Sequence, residues 1–145
     1  MKRLYILTTF YFLCHNVFAQ LQIKESTDGI KIGSYSALGQ RYVECTNYNN
    51  NFAFTYRDYT YPLLDEYKTF WISGSESFNQ LYNVIIETLN KKEKKDLEIK
   101  LEGNNSLKLK FTANKVSFWL WDGYNWSYSP TCNKKQIDNI FGKTR

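Results

Sequence analysis

Residues 96–129 alternate apolar and polar side chains through successive short runs, and no other feature of the 145-residue chain restricts its fold as much. Leu97, Ile99 and Leu101 alternate with Glu98, Lys100 and Glu102. Leu107, Leu109 and Phe111 alternate with Lys108 and Lys110, and Val116, Phe118 and Leu120 with Ser117, Trp119 and Trp121. A period of two is the signature of a strand with one buried face. Gly103-Asn104-Asn105, Ala113-Asn114 and Asp122-Gly123 separate the runs. Asp-Gly suits a two-residue type I′ hairpin, whose central residues both need positive φ. The stretch therefore reads as an antiparallel meander. Its turns predict Leu101 opposite Leu107, Ile99 opposite Leu109 and Leu97 opposite Phe111. Phe111 then faces Val116, Leu109 faces Phe118, and Leu107 faces Leu120. A slip of one residue would turn every apolar side chain outward.

The other face of this meander carries the candidate site. Across a tight Asp122-Gly123 turn, Trp121 opposes Tyr124, Trp119 opposes Trp126, and Ser117 opposes Tyr128. Trp119, Trp121, Tyr124, Trp126 and Tyr128 thereby share a face with Lys100 and Lys108. Lys108 falls directly across from Trp119, within reach of a cation–π contact. Asn125, Ser127 and Ser129 fall on the supposed core face, which contradicts the assignment made by the earlier strands. Two arrangements remain open. Either the N-terminal strands cover the aromatics as a second layer, or the rings stay exposed as a platform for a sugar or a protein.

Elsewhere, segments near 30–35, 41–46, 52–57 and 67–72 carry the β-branched and aromatic residues of strands, as does 21–25. Residues 58–66 contain Pro62 and read as a loop. Phe78, Leu81, Tyr82, Ile85, Ile86 and Leu89 recur at helical spacing and predict a helix over 76–91. Ser73 with Glu76 has capping-box spacing, and Ser75 is a competing N-cap. The run Lys91-Lys92-Glu93-Lys94-Lys95 then lies where the helix dipole favours cations. Asn133 and Gln136 predict a capped C-terminal helix over 133–141, with Gly142 just beyond it. The fold expected is α+β: a curved antiparallel sheet of about eight or nine strands on the long helix, plus the short C-terminal helix.

Residues 1–19 read as a cleavable export signal. Lys2 and Arg3 precede the uncharged run Leu4 to Leu13, and Val17-Phe18-Ala19 has small residues at the −3 and −1 positions before Gln20. The apolar run is shorter than the roughly 20 residues a spanning helix needs. The expectation is a secreted or periplasmic protein, a single small domain over 20–145, with no transmembrane segment after cleavage. Cleavage removes His15, the only histidine, and with it Ser-His-Asp or Cys-His catalysis and histidine-ligated metal sites. It also removes Cys14, leaving Cys45 and Cys132, which an oxidising compartment would join as a disulfide. Closing that loop would stabilise the fold by roughly 4 kcal/mol on chain-entropy grounds. The leader takes two charges from a formal net charge of +5. A mildly basic remainder is not a nucleic-acid footprint.

Tyr42 to Tyr56 (YVECTNYNNNFAFTY) resembles the opening of the periplasmic lysozyme inhibitors of the small β-barrel type. The later Ser-Gly-x-Arg/Lys-Tyr signature of that family has no counterpart here, so no family is assigned. No phosphate-cradling loop, metal-ligand cluster or nucleophile elbow is present, and no cofactor is expected. A carboxylate pair of the glycosidase kind needs only two acids, and Glu44, Asp58, Asp65, Glu66 and Asp122 lie near loops or strand ends. The sequence favours a non-catalytic binding domain with a protein or glycan partner. A structural envelope-associated protein and a carboxylate hydrolase are the alternatives.

Overall fold

The computed structural model describes residues 28–144. The expected leader at 1–19, with Cys14 and His15, and the strand expected at 21–25 lie outside the described residues. Strands β1 (Ile30–Ala37), β2 (Gln40–Tyr48), β3 (Asn51–Arg57) and β4 (Tyr67–Ser73) precede helix α1 (Ser75–Lys91). Strands β5 (Asp96–Lys100), β6 (Ser106–Thr112), β7 (Lys115–Trp121), β8 (Trp126–Tyr128) and β9 (Cys132–Asn133) follow, and helix α2 (Lys134–Ile140) comes last.

The class is α+β, but the strands form two antiparallel sheets rather than one curved sheet. One runs β1-β2-β3-β4; the other runs β5-β6-β7-β8, with β9 pairing β7 beyond the end of β8. The division falls at α1, whose 17 residues carry the chain away from β4 before β5 begins. Each sheet has one apolar face, and stacking the two faces removes both from water. Phe54 of β3 and Phe70 of β4 stack at 5.0 Å, and Phe70 meets Phe118 of β7 at 5.6 Å. Each buried phenylalanine contributes about 1.5–3 kcal/mol.

Helix α1 closes one side of this core. Phe78, Leu81, Ile85 and Leu89 are buried at the expected spacing, and Phe78 stacks on Phe52 at 4.1 Å. Neither expected cap forms. Gly74 occupies the N-cap with no side-chain bond, and Ser75 Oγ is taken by Asn50 Oδ1 in the β2–β3 turn. The lysine run behaves as a solvated helix end: Lys91 pairs with Glu87 and Lys95 with Glu93. These partners hold both glutamates below the usual carboxylate range. Helix α2 forms with the expected capping box between Asn133 and Gln136.

The meander keeps its predicted faces and changes its register at both ends. Phe111↔Val116, Leu109↔Phe118 and Leu107↔Leu120 pair as expected. Between β5 and β6 the pairs are Ile99↔Leu107 and Leu97↔Leu109, two residues from the expected register. The turn is centred on Gly103 rather than on Asn104, since Leu101 N donates to Asn105 O. Between β7 and β8 the pairs are Trp121↔Trp126 and Trp119↔Tyr128. Here the turn is wider, because Asp122 Oδ1 accepts from the amides of both Tyr124 and Asn125 and holds a four-residue loop open. Those two amides also keep the Asp122 carboxyl below its ordinary range. A shift of two preserves every face, which is why the pattern alone cannot detect it. Positive φ at both central turn residues occurs instead at Leu38-Gly39 and Asn49-Asn50.

The serines on the core face no longer contradict it. Ser127 and Ser129 are 5 % and 1 % exposed, and both are hydrogen-bonded. Ser127 Oγ lies 2.7 Å from the Tyr56 hydroxyl. Ser129 Oγ accepts from Phe118 N and donates to Pro130 O. Asn125 is in the exposed loop.

Helix α2 seats on β1 at Gly33. A β-carbon there would stand 1.8 Å from Asn139 O, closer than any real contact. Gly33→Ala therefore lifts the end of α2 and is expected to lower unfolding stability by about 1–3 kcal/mol, the usual cost of overpacking. Urea denaturation measures it; an unchanged midpoint would mean that α2 does not seat there.

Candidate functional site

The outward face of β5–β8 is ordered in stripes. Asp96, Glu98 and Lys100 line β5; Lys108 and Lys110 line β6; Trp119 and Trp121 line β7; Trp126 and Tyr128 line β8. The second layer of strands packs on the opposite face, so the aromatics are not sandwiched between the sheets. Trp119, Trp121, Trp126 and Tyr128 are half-buried, and Tyr124 at the loop tip is 85 % exposed.

The face is nevertheless not a bare platform. Trp119 stacks on Tyr128 at 4.6 Å and 15°. Lys110 Nζ lies 3.5 Å from the centre of the Trp119 ring. Two groups this close cannot share one face of a ring, so Trp119 is covered on both. Trp119 Nε1 donates to Ser117 Oγ, which fixes the ring in its plane. Lys108 does lie across from Trp119 in register, but its ammonium sits over Trp126, at 4.7 Å. Trp121 and Trp126 meet at 5.6 Å with rings tilted by 46°. Lys100 is exposed at the far edge, in the same cross-strand row as Trp121 and Trp126; Tyr124 is on the β7–β8 loop, and the rest of the expected set is gathered on β6, β7 and β8.

At its β8 side the face runs into a groove of 540 Å³ between the two sheets. That is within the usual range for small-ligand sites. Trp119 and Tyr128 form one wall, and Tyr35, Tyr42 and Tyr59 the other. Tyr35 and Tyr42 meet at 5.3 Å, and Tyr42 meets Tyr59 edge-on at 6.0 Å. Burial, followed by the hydrogen bond with Tyr42, raises the Tyr59 phenol above its ordinary pKa. Lys115, Asn133 and Gln136 stand at one end, and among the described residues no carboxylate lines the groove. The sequence reading missed the three tyrosines because they come from β1, β2 and the 58–66 loop, far from the meander. Lys110 was legible from its period-two relation to Lys108.

The remaining candidates are held in structural roles. Glu44 pairs with Lys31 at 2.9 Å and Arg41 at 3.0 Å, and Asp65 faces Arg57 at 3.5 Å. Asp58 is buried and accepts from the amides of Thr60 and Tyr128. Glu66 is exposed on the loop, and Asp122 organises its turn. Among the described residues no three metal-ligating side chains converge, and no helix is long and apolar enough to cross a membrane.

The expected Cys45–Cys132 disulfide is absent. Cys45 lies within β2 and Cys132 on β9, in different sheets, and both are buried free thiols. Burial raises each thiol to a pKa of about 12. Comparison with family models, curated proteins and solved structures finds no match to this chain.

Because the folded thiols ionise above the unfolded value of 9.0, the unfolded chain releases its thiol protons first as the pH rises. Their contribution to stability is complete below pH 9.0 and is lost as the pH climbs towards 12. At pH 9.0 iodoacetamide is expected to leave Cys45 and Cys132 unlabelled in the folded chain. In guanidinium, without reductant, it labels both, as peptide mass mapping would show. Failure to label the denatured chain until reductant is added would mean that the two are joined.

Proposed function

We propose that the protein is an exported, non-catalytic binding domain that meets a protein or glycan partner with the aromatic outer face of β7 and β8. One observation carries the reading: Trp119 and Tyr128 belong both to that face and to the adjoining groove, so half-exposed rings form one continuous surface. Aromatic side chains left at a surface are the groups that supply most binding energy when a partner covers them. Trp121, Tyr124 and Tyr128 have no lysine over their rings among the described residues; Tyr128 is stacked on Trp119, which leaves Trp121 and Tyr124 as the expected contacts. The second reading, a structural envelope protein with no dedicated ligand, draws on the lysines capping Trp119 and Trp126. Those contacts already satisfy two of the rings.

The two readings part on affinity capture from the envelope and medium of the producing cell. Immobilised wild-type protein is expected to retain a species that the double variant Trp121→Ala/Tyr124→Ala retains about ten-fold less well, a loss typical of a hot spot. Both side chains lie outside the core, so the variant should keep its melting temperature. Equal retention by both proteins would place the contact elsewhere on the protein, and retention by neither would favour the structural role.

A further inference from the structure

We propose that the groove between Tyr59 and Tyr128 takes a sugar unit of an acidic oligosaccharide. The inference rests on the binding role above and names the ligand class.

The ring inventory comes first. Both faces of Trp119 are occupied, by Tyr128 and by Lys110, so this tryptophan shapes the wall rather than stacking on a ligand. The rings left to receive one are the far side of Tyr128 and, opposite, Tyr42 and the side of Tyr59 away from the Arg57 guanidinium. A pyranose presents C–H groups on its faces and hydroxyls around its rim. Phenol rings offer an apolar surface and a hydroxyl that both donates and accepts, which matches that mixture. The two walls come from different sheets and leave an open channel, as a chain-like ligand requires.

The charge is the second, independent observation. Asp96 lies directly across from Lys110, and Glu98 directly across from Lys108. Opposite charges so placed ordinarily pair. Among the described residues, neither lysine approaches a carboxylate within ion-pair distance; both turn the other way, over Trp119 and Trp126. Lys115 stands at the groove's end. Three ammonium groups thus face the aromatic side of the sheet, beside a groove that no carboxylate among the described residues lines. A neutral sugar would leave those charges unused. An oligomer with a carboxylate or sulfate on successive units would seat one unit against the tyrosines beside Lys115 and carry others past Trp119 to Lys110 and Lys108.

The test titrates the full protein with short oligomers of galacturonate, mannuronate and chondroitin sulfate. Cellotetraose serves as the neutral control and oligoglutamate as a non-sugar polyanion. Calorimetry and tryptophan fluorescence report binding. At least one acidic oligosaccharide is expected to bind roughly ten-fold or more tightly than either control. Tyr59→Ala should weaken it about ten-fold, and Lys110→Gln and Lys115→Gln each several-fold. Tyr59 is a half-exposed loop residue whose backbone bond survives the substitution, and the lysine changes test the site without touching the core. Equal binding of cellotetraose or of oligoglutamate would overturn the assignment. So would the absence of binding by every acidic oligosaccharide. If a partner is still captured through Trp121 and Tyr124 in that case, only the groove inference falls; if none is captured, the binding role falls with it.

Discussion

Tyr56 is fully buried, and its hydroxyl crosses from one sheet to meet Ser127 of the other at 2.7 Å. The apolar stacking of Phe54, Phe70 and Phe118 brings the sheets together, but it has little direction of its own. A buried phenol must find a partner or lose about 1–3 kcal/mol in desolvation, so this bond fixes where one sheet stops relative to the other. Burial raises the phenol well above its ordinary pKa, which keeps the proton in place. The seam continues through the next residues. Asp58 accepts from Tyr128 N, and Tyr59 N donates to Tyr128 O at 2.8 Å.

Those bonds run along the base of the groove. Tyr59 and Tyr128, on opposite walls, are tied through their own backbones. The groove is thus built on the junction between layers, and these bonds hold the Tyr59 and Tyr128 backbones in place. The same economy is visible on the outer face. Lys110 and Tyr128 cover Trp119 from both sides, so a large ring beside solvent is kept in one orientation. A surface ordered in this way binds with less loss of side-chain entropy than one assembled on contact.

The sequence carried the faces of the fold more clearly than its registers or layers. Alternation in Leu107–Phe111 and Val116–Leu120 assigned every side chain of β6 and β7 to its side, and the stripe from Phe78 to Leu89 located α1. Register failed where a turn was set by a hydrogen bond that composition does not display, as with the Asp122 carboxylate. The serines of β8 looked misplaced because their partner, Tyr56, lies 71 residues away in the chain. The division into two sheets was hidden for a similar reason, since alternation says that a face is buried but not what covers it. Half of the candidate surface was legible, because β7 and β8 are consecutive. The tyrosine wall was not, because only the stacking of the sheets brings it there.

A double-mutant cycle on the seam tests this account most directly. Tyr56→Phe leaves the Ser127 hydroxyl buried and unpaired, and Ser127→Ala leaves the Tyr56 hydroxyl only its long 3.5 Å contact with the carbonyl of residue 127; the double variant removes both hydroxyls. Measured by urea unfolding, the pair is expected to show a coupling of about 1 kcal/mol, so that the second substitution costs little once the first is made. Additivity within roughly 0.3–0.5 kcal/mol would mean that the two hydroxyls do not interact, and that the sheets and the groove between them are positioned by something else.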